Sequence, residues 1–119
     1  MGHVRVKIRI ANPNNRSEAI EVDDALVDTG ASFTTVPRAL ADRLALDVLG
    51  QHQVRTAAGP LKVDRSFAFI DIDGRDGVAP VWISDSYPGV LIGVLTLEAL
   101  ALAVDPGAGK LTDSELLLL

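Results

Sequence analysis

A chain of 119 residues that lacks cysteine has room for one domain with a buried core, and it excludes disulfides and thiolate metal centres. Hydrophobic residues make up 48% of it but aromatics only 4%, so the core must be built from Val, Leu, Ile and Ala. A net charge of -5 with no basic stripe argues against a nucleic-acid surface.

The opening residues alternate charge with apolarity instead of forming the apolar stretch of a secretory signal. His3 to Ile10 has strict period two, with Val4, Val6, Ile8 and Ile10 on one face and Arg5, Lys7 and Arg9 on the other, which predicts a half-buried strand. Asn12-Pro13-Asn14-Asn15 is a turn cluster. Ile20 and Val22 then suit a second strand, Asp23-Asp24 a solvated turn, and Ala25 to Val27 a third extended segment. Phe33 to Val36 is rich in strand formers. Pro37 suits the first position of a helix, and Leu40, Ala41 and Leu44 give that helix an apolar face through about Ala45.

Gln51 to Thr56 and Leu61 to Phe69 flank Ala57-Ala58-Gly59-Pro60 and predict a β-hairpin with a small tip. The strand pattern continues to Asp73, then Asp73 to Gly77 turns into Val78 to Ile83. Asp71, Asp73 and Asp76 lack the spacing and closing Glu of a calcium loop, so a polar turn is the better reading. Val90 to Gly93 reads as a buried strand, Leu95 to Ala101 as a short helix with Leu97, Leu100 and Ala101 inward, and residues 103–112 as a closing hairpin around Pro106 to Gly109. The apolar stretch from Val90 to Val104 is interrupted and too short to span a bilayer, so a soluble, cytoplasmic protein is expected. His3 and His52 lie far apart without ligand spacing and suit surface or strand positions better than a metal site. The balance is an all-β, barrel-like domain with two short helices.

One stretch stands apart from this core-building pattern. Ala25-Leu26-Val27 runs directly into Asp28, and Gly30 permits a tight turn behind it. Asp28-Thr29-Gly30 taken alone suits an ordinary strand-end turn as well as a site. A softer echo, Leu91-Ile92-Gly93 before a helix, appears near the other end.

Taken in order, these features resemble a retropepsin-like aspartic protease of the single-lobed kind found in bacteria. Ala25 to Ser32 matches the catalytic loop, Pro37 to Leu46 the following helix, and Val54 to Val63 the flap. Leu91-Ile92-Gly93, Val104-Asp105-Pro106 and Gly109-Lys110-Leu111 match the closing section. The resemblance covers about residues 4–112. It implies a single domain over 1–119, folded as a closed acid-protease barrel with a flap hairpin, and a tail at 113–119 that contributes to an interface. Three departures are visible, the first being a flap tip, Ala57-Ala58-Gly59, with one Gly, fewer than in the viral flaps. Leu44-Ala45-Leu46 and Leu100-Ala101-Leu102 stand where bacterial members carry Leu-Gly-Leu, a loss of about 1 kcal/mol at a left-handed helix stop. Ser32 stands where several viral enzymes have a second acid.

The resemblance implies that Asp28 is the catalytic acid and that Thr29 braces the opposite loop. Gly30, Ala31 and Ser32 would complete the active-site loop, with Ala57, Ala58 and Gly59 as the flap over substrate. Peptide hydrolysis by carboxylates needs two of them around one water, one as base and one protonated to polarise the carbonyl. Only one Asp-Thr-Gly is present, so the second carboxylate would come from Asp28 of another copy in a homodimer acting on peptide or protein. No cofactor or metal is called for. Ala31 offers no hydroxyl to the aspartates, unlike the Ser usual in pepsin-like enzymes, so a less acidic optimum than pepsin's is expected. A rate profile peaking below about pH 3 would contradict that. Leu26, Val81, Ile83 and Leu91 are candidate pocket walls, with ordinary core as the plainer reading. Trp82 should face away from Val81 and Ile83, free to anchor a partner or cap the core. The rival reading is a catalytically silent dimerisation or peptide-binding module on the same fold.

Overall fold

The computed structural model describes residues 4–114, so His3 and the Glu115–Leu119 part of the tail lie outside it. Alternation at the front of the chain produces β1 (Val4–Asn12), with Ile8 and Ile10 fully buried and the cations outward. Its antiparallel partner is β2, which runs unbroken over Asn15–Val27. The turn expected at Asp23-Asp24 is therefore absent. Val6 pairs with Ala25 and Ile8 with Val22, so the two acids share one opposing position, Lys7, in a bulge. That extra residue switches the inward parity from Ile20 and Val22 to Ala25 and Val27, and it aims the strand end that carries Asp28.

The remaining elements follow as β3 (Thr34–Pro37), α1 (Arg38–Arg43), β4 (Gly50–Thr56), β5 (Gly59–Ile72) and β6 (Arg75–Ser84). After these come β7 (Leu91–Ile92), α2 (Val94–Ala99), β8 (Leu102–Asp105) and β9 (Lys110–Asp113). The large sheet has the order β1-β2-β7-β3-β6-β5-β4, and further pairs between β1 and β5, including Ile10 with Ile70, close it into a ring. β2 with β7 and β3 with β6 are parallel, and the other pairings are antiparallel. β4 stands outside the ring on β5. Among the described residues, β8 and β9 form a separate two-stranded sheet.

The core is aliphatic, as composition required: Ile8, Ile10, Val36, Ile70, Val81, Ile83 and Ile92 are each at most 1% exposed. Val81 and Ile83 are thus core residues, the plainer of the two readings, whereas Leu26 and Leu91 stay half-buried beside each other on β2 and β7. Pro37 ends β3 and caps α1 instead of opening it, because β3 continues one residue further along β6. α2 begins one residue earlier than expected and stops at Ala99. No helix among the described residues is long and apolar enough to cross a membrane.

Candidate active site

Asp28 follows directly on β2, half-buried, with its amide donating to the carbonyl of Ile92 at 3.0 Å. Two residues earlier, the Leu26 amide donates to the Val90 carbonyl at 2.9 Å, so β7 fixes the strand end from one side. The chain then folds back on itself. The Gly30 amide donates to Asp28 Oδ1 at 2.9 Å and the Ala31 amide to the Asp28 carbonyl at 3.1 Å. A charge-assisted backbone donor of this kind fixes the carboxylate's orientation. Thr29 and Gly30 are exposed at the apex, and Ala31 is half-buried.

The far side of this loop is bound to the start of α2. The Val94 amide donates to the Ala31 carbonyl at 2.8 Å, and the Leu95 amide to the Ser32 carbonyl at 3.0 Å. Gly93 lies so close that a Cβ there would sit 2.5 Å from the carbonyl carbon of Phe33 and 2.7 Å from the Ser32 oxygen. Only glycine fits this crossing. Beneath it, the Thr34 hydroxyl accepts the Gly93 amide at 3.0 Å and shares a hydrogen bond of 2.6 Å with the Thr96 hydroxyl, both side chains being fully buried. Phe33 stacks on Trp82 with ring centroids 4.5 Å apart, steadying the loop where it enters β3. Trp82 thus faces away from Val81 and Ile83 as expected, and its packing partner is the end of the Asp28 loop.

The structure therefore brings Asp28, Thr29, Gly30, Ala31 and Ser32 together with the echo motif Ile92-Gly93. The echo supplies backbone carbonyls and a close crossing but no acid. Ala57, Ala58 and Gly59 lie elsewhere, at the far end of the β4–β5 hairpin. The turn proper is Ala57-Ala58, since Gly59 already pairs with Thr56. There Thr56 Oγ1 donates to the Gly59 carbonyl at 2.7 Å and accepts the Ala58 amide at 3.2 Å.

Thr29 also borders a groove of about 480 Å³ whose apolar lining includes Val94, Leu97, Leu102, Val104 and Pro106, with Glu98 and Ser114 among its polar lining residues. Asp71 Oδ1 accepts the Gly74 amide and so serves its turn. Among the described residues no group of three or more His, Cys, Asp or Glu side chains is placed to hold a metal ion.

Sequence reading missed Thr34, Thr96 and the ion pairs of Arg38. Thr96 carried a signal, being a hydroxyl inside the apolar Val90 to Val104 stretch. Arg38 carried none, because its partners Asp64 and Asp85 are distant in sequence. Its guanidinium holds both carboxyls below the usual carboxylate range, and its hydrogen bonds to Asp85 and Asp64 in turn raise Arg38 above its ordinary value.

Residues 6–96 match a family model described as aspartyl protease. The match runs from β1 into α2 and includes the whole interlocked loop, and the chain belongs to that retropepsin-like aspartyl protease family. No curated protein matches the chain.

Proposed function

We propose that the protein is an aspartic endopeptidase in which two Asp28 carboxylates, one from each subunit of a homodimer, activate a single water. The observation that carries this reading is the Asp28 loop. A half-buried carboxylate stands at a strand end, oriented by the Gly30 amide and locked by β7 and α2. The equivalent crossing in the other half of the chain, Ile92-Gly93-Val94, carries no acid, so one chain supplies one carboxylate to this chemistry. Two carboxyls about 3 Å apart cannot both ionise, so the pair shares one proton. The charged member takes a proton from water as the oxygen attacks the peptide carbonyl. The protonated member donates a hydrogen bond to the carbonyl oxygen as negative charge develops there.

The exposed Thr29 and the apolar groove beside it favour an interface with a second copy, since an apolar surface next to the catalytic loop gains stability when covered. Thr29 braces the partner's loop from that position. The Ala57-Ala58-Gly59 end of the β4–β5 hairpin acts as the flap that closes over an extended peptide and excludes water.

Subunit mixing tests the shared site. Wild type mixed with an equal amount of Asp28→Asn should retain about one quarter of the activity of unmixed wild type at the same total protein, because mixed dimers hold a single competent carboxyl. Retention of about one half would mean that each chain works alone.

A further inference from the structure

The β4–β5 hairpin leaves the barrel at one residue. β5 pairs with β6 from Asp64 onward, starting with Asp64 against Ile83; Asp64 and Arg65 pair with β4 as well, whereas residues 59–63 pair with β4 alone. The arm beyond Asp64 is thus a lever whose only ladder is its own, and Asp64 is its pivot. Arg38, the first residue of α1, reaches this pivot. Its Nη1 donates to Asp64 Oδ2 at 2.7 Å, while Nε and Nη2 donate to the two oxygens of Asp85 at 3.0 and 3.1 Å. Gln51, directly across from Asp64 on β4, donates Nε2 to Asp64 Oδ1 at 3.1 Å, so one carboxylate holds both strands of the hairpin. Asp85 in turn opens the segment leading to Val90, whose carbonyl accepts the Leu26 amide just before Asp28.

We propose that Arg38 is a positioning residue that ties the root of the β4–β5 hairpin to the segment bracing the Asp28 strand, so that the hairpin closes on peptide from one fixed stance. This rests on the reading of the hairpin as a flap. The planar guanidinium suits this role because its fork engages Asp85 through two donors and leaves a third for Asp64, which a lysine ammonium cannot reproduce in that geometry. The arm to Asp64 is the better shielded, with that side chain 14% exposed against 65% for Asp85. Partly exposed pairs of this kind add little to global stability. The effect is accordingly local, a restriction of the lever's pivot.

Amide hydrogen exchange by mass spectrometry, run beside peptide-cleavage kinetics, tests this on wild type, Arg38→Gln, Arg38→Lys and the milder Asp85→Asn. In Arg38→Gln the amides of residues 51–63 should exchange about tenfold faster while those of β1 keep their wild-type rates. Arg38→Lys should not restore protection, and Asp85→Asn should show a smaller change in the same segment. KM should rise about fivefold in Arg38→Gln with kcat and its pH dependence little changed, since the variant alters closure and not the carboxylates. Unchanged exchange at 51–63, acceleration spread evenly over the barrel, or an unchanged KM would overturn the proposal. If wild type gives no Asp28-dependent cleavage, the protease reading falls, and the exchange pattern alone then decides whether Arg38 locks the hairpin.

Discussion

The Thr34 hydroxyl lies where β3, the Gly93 crossing and α2 meet, and it has a partner on each side. Replacing it with Val keeps the shape but leaves a buried amide and a buried hydroxyl without their partner. The expected cost is about 1–3 kcal/mol, read from the urea midpoint of Thr34→Val against wild type. Thr34→Ser, which keeps the hydroxyl, should lose less. Asp28 was legible in the sequence because an apolar run ending at an acid is a local pattern. The pairing of Thr34 with Thr96 was not, since it joins residues 62 positions apart and depends on how two loops cross.

The two helices end alike. Ala45 and Ala101 adopt φ of 52° and 57°, the left-handed stop inferred from Leu44-Ala45-Leu46 and Leu100-Ala101-Leu102. At α1 the Ala45 amide donates to the Asp42 carbonyl and the Leu46 amide to the Ala41 carbonyl, and Asn12 Nδ2 donates to the carbonyls of Leu44 and Ala45. At α2, Arg75 Nη1 plays the same part toward Leu100 and Ala101. These side-chain donors offset strain that glycine would remove. Ala45→Gly and Ala101→Gly should each stabilise by about 0.5 kcal/mol, left-handed relief exceeding the added chain entropy, with a rise in Tm as the readout.

The Arg38 cluster also gives a pH dependence. Asp64 and Asp85 titrate below their ordinary range in the folded state because Arg38 favours their charged forms. Their contribution is therefore complete above the unfolded carboxylate range, about pH 4, and is lost as pH falls through the lower folded values. The stability gap between wild type and Arg38→Met, small because the pairs are partly exposed, should hold steady from pH 5 to 8 and shrink below about pH 4, as urea titrations followed by Trp82 fluorescence would show. Element types were legible from periodicity, whereas the continuity of β2 was not. The switch from Ile20 and Val22 to Ala25 and Val27 marks either a turn or a bulge, and the choice depends on the partner strand β1.

At the scale of the whole molecule, ring closure through β1 and β5 leaves few free sheet edges; the β4–β5 hairpin extends beyond the ring, whereas the β8–β9 pair packs on it through Leu102, Val104 and Leu111. A barrel-like fold was legible from the count of strands, but its closure and strand order were legible only through resemblance, because parallel contacts such as Leu26 with Leu91 are set by chain crossing and not by local pattern. The division of labour between the halves follows from the sequence once the fold is known, since one crossing holds Asp28 and the other only Gly93. Under the proposed mechanism, a chain with one such carboxylate needs a second copy to complete the pair.

Cleavage of a diverse peptide mixture, read by mass spectrometry from pH 4 to 8 at high protein concentration, tests that claim most directly when wild type and Asp28→Asn are run side by side. New peptide termini from wild type alone, with sedimentation showing a dimer, are the expected result. A confirmed dimer that yields no Asp28-dependent products would contradict the claim and leave a binding module on the same fold, and Asp28-dependent cleavage by a strict monomer would contradict the shared site.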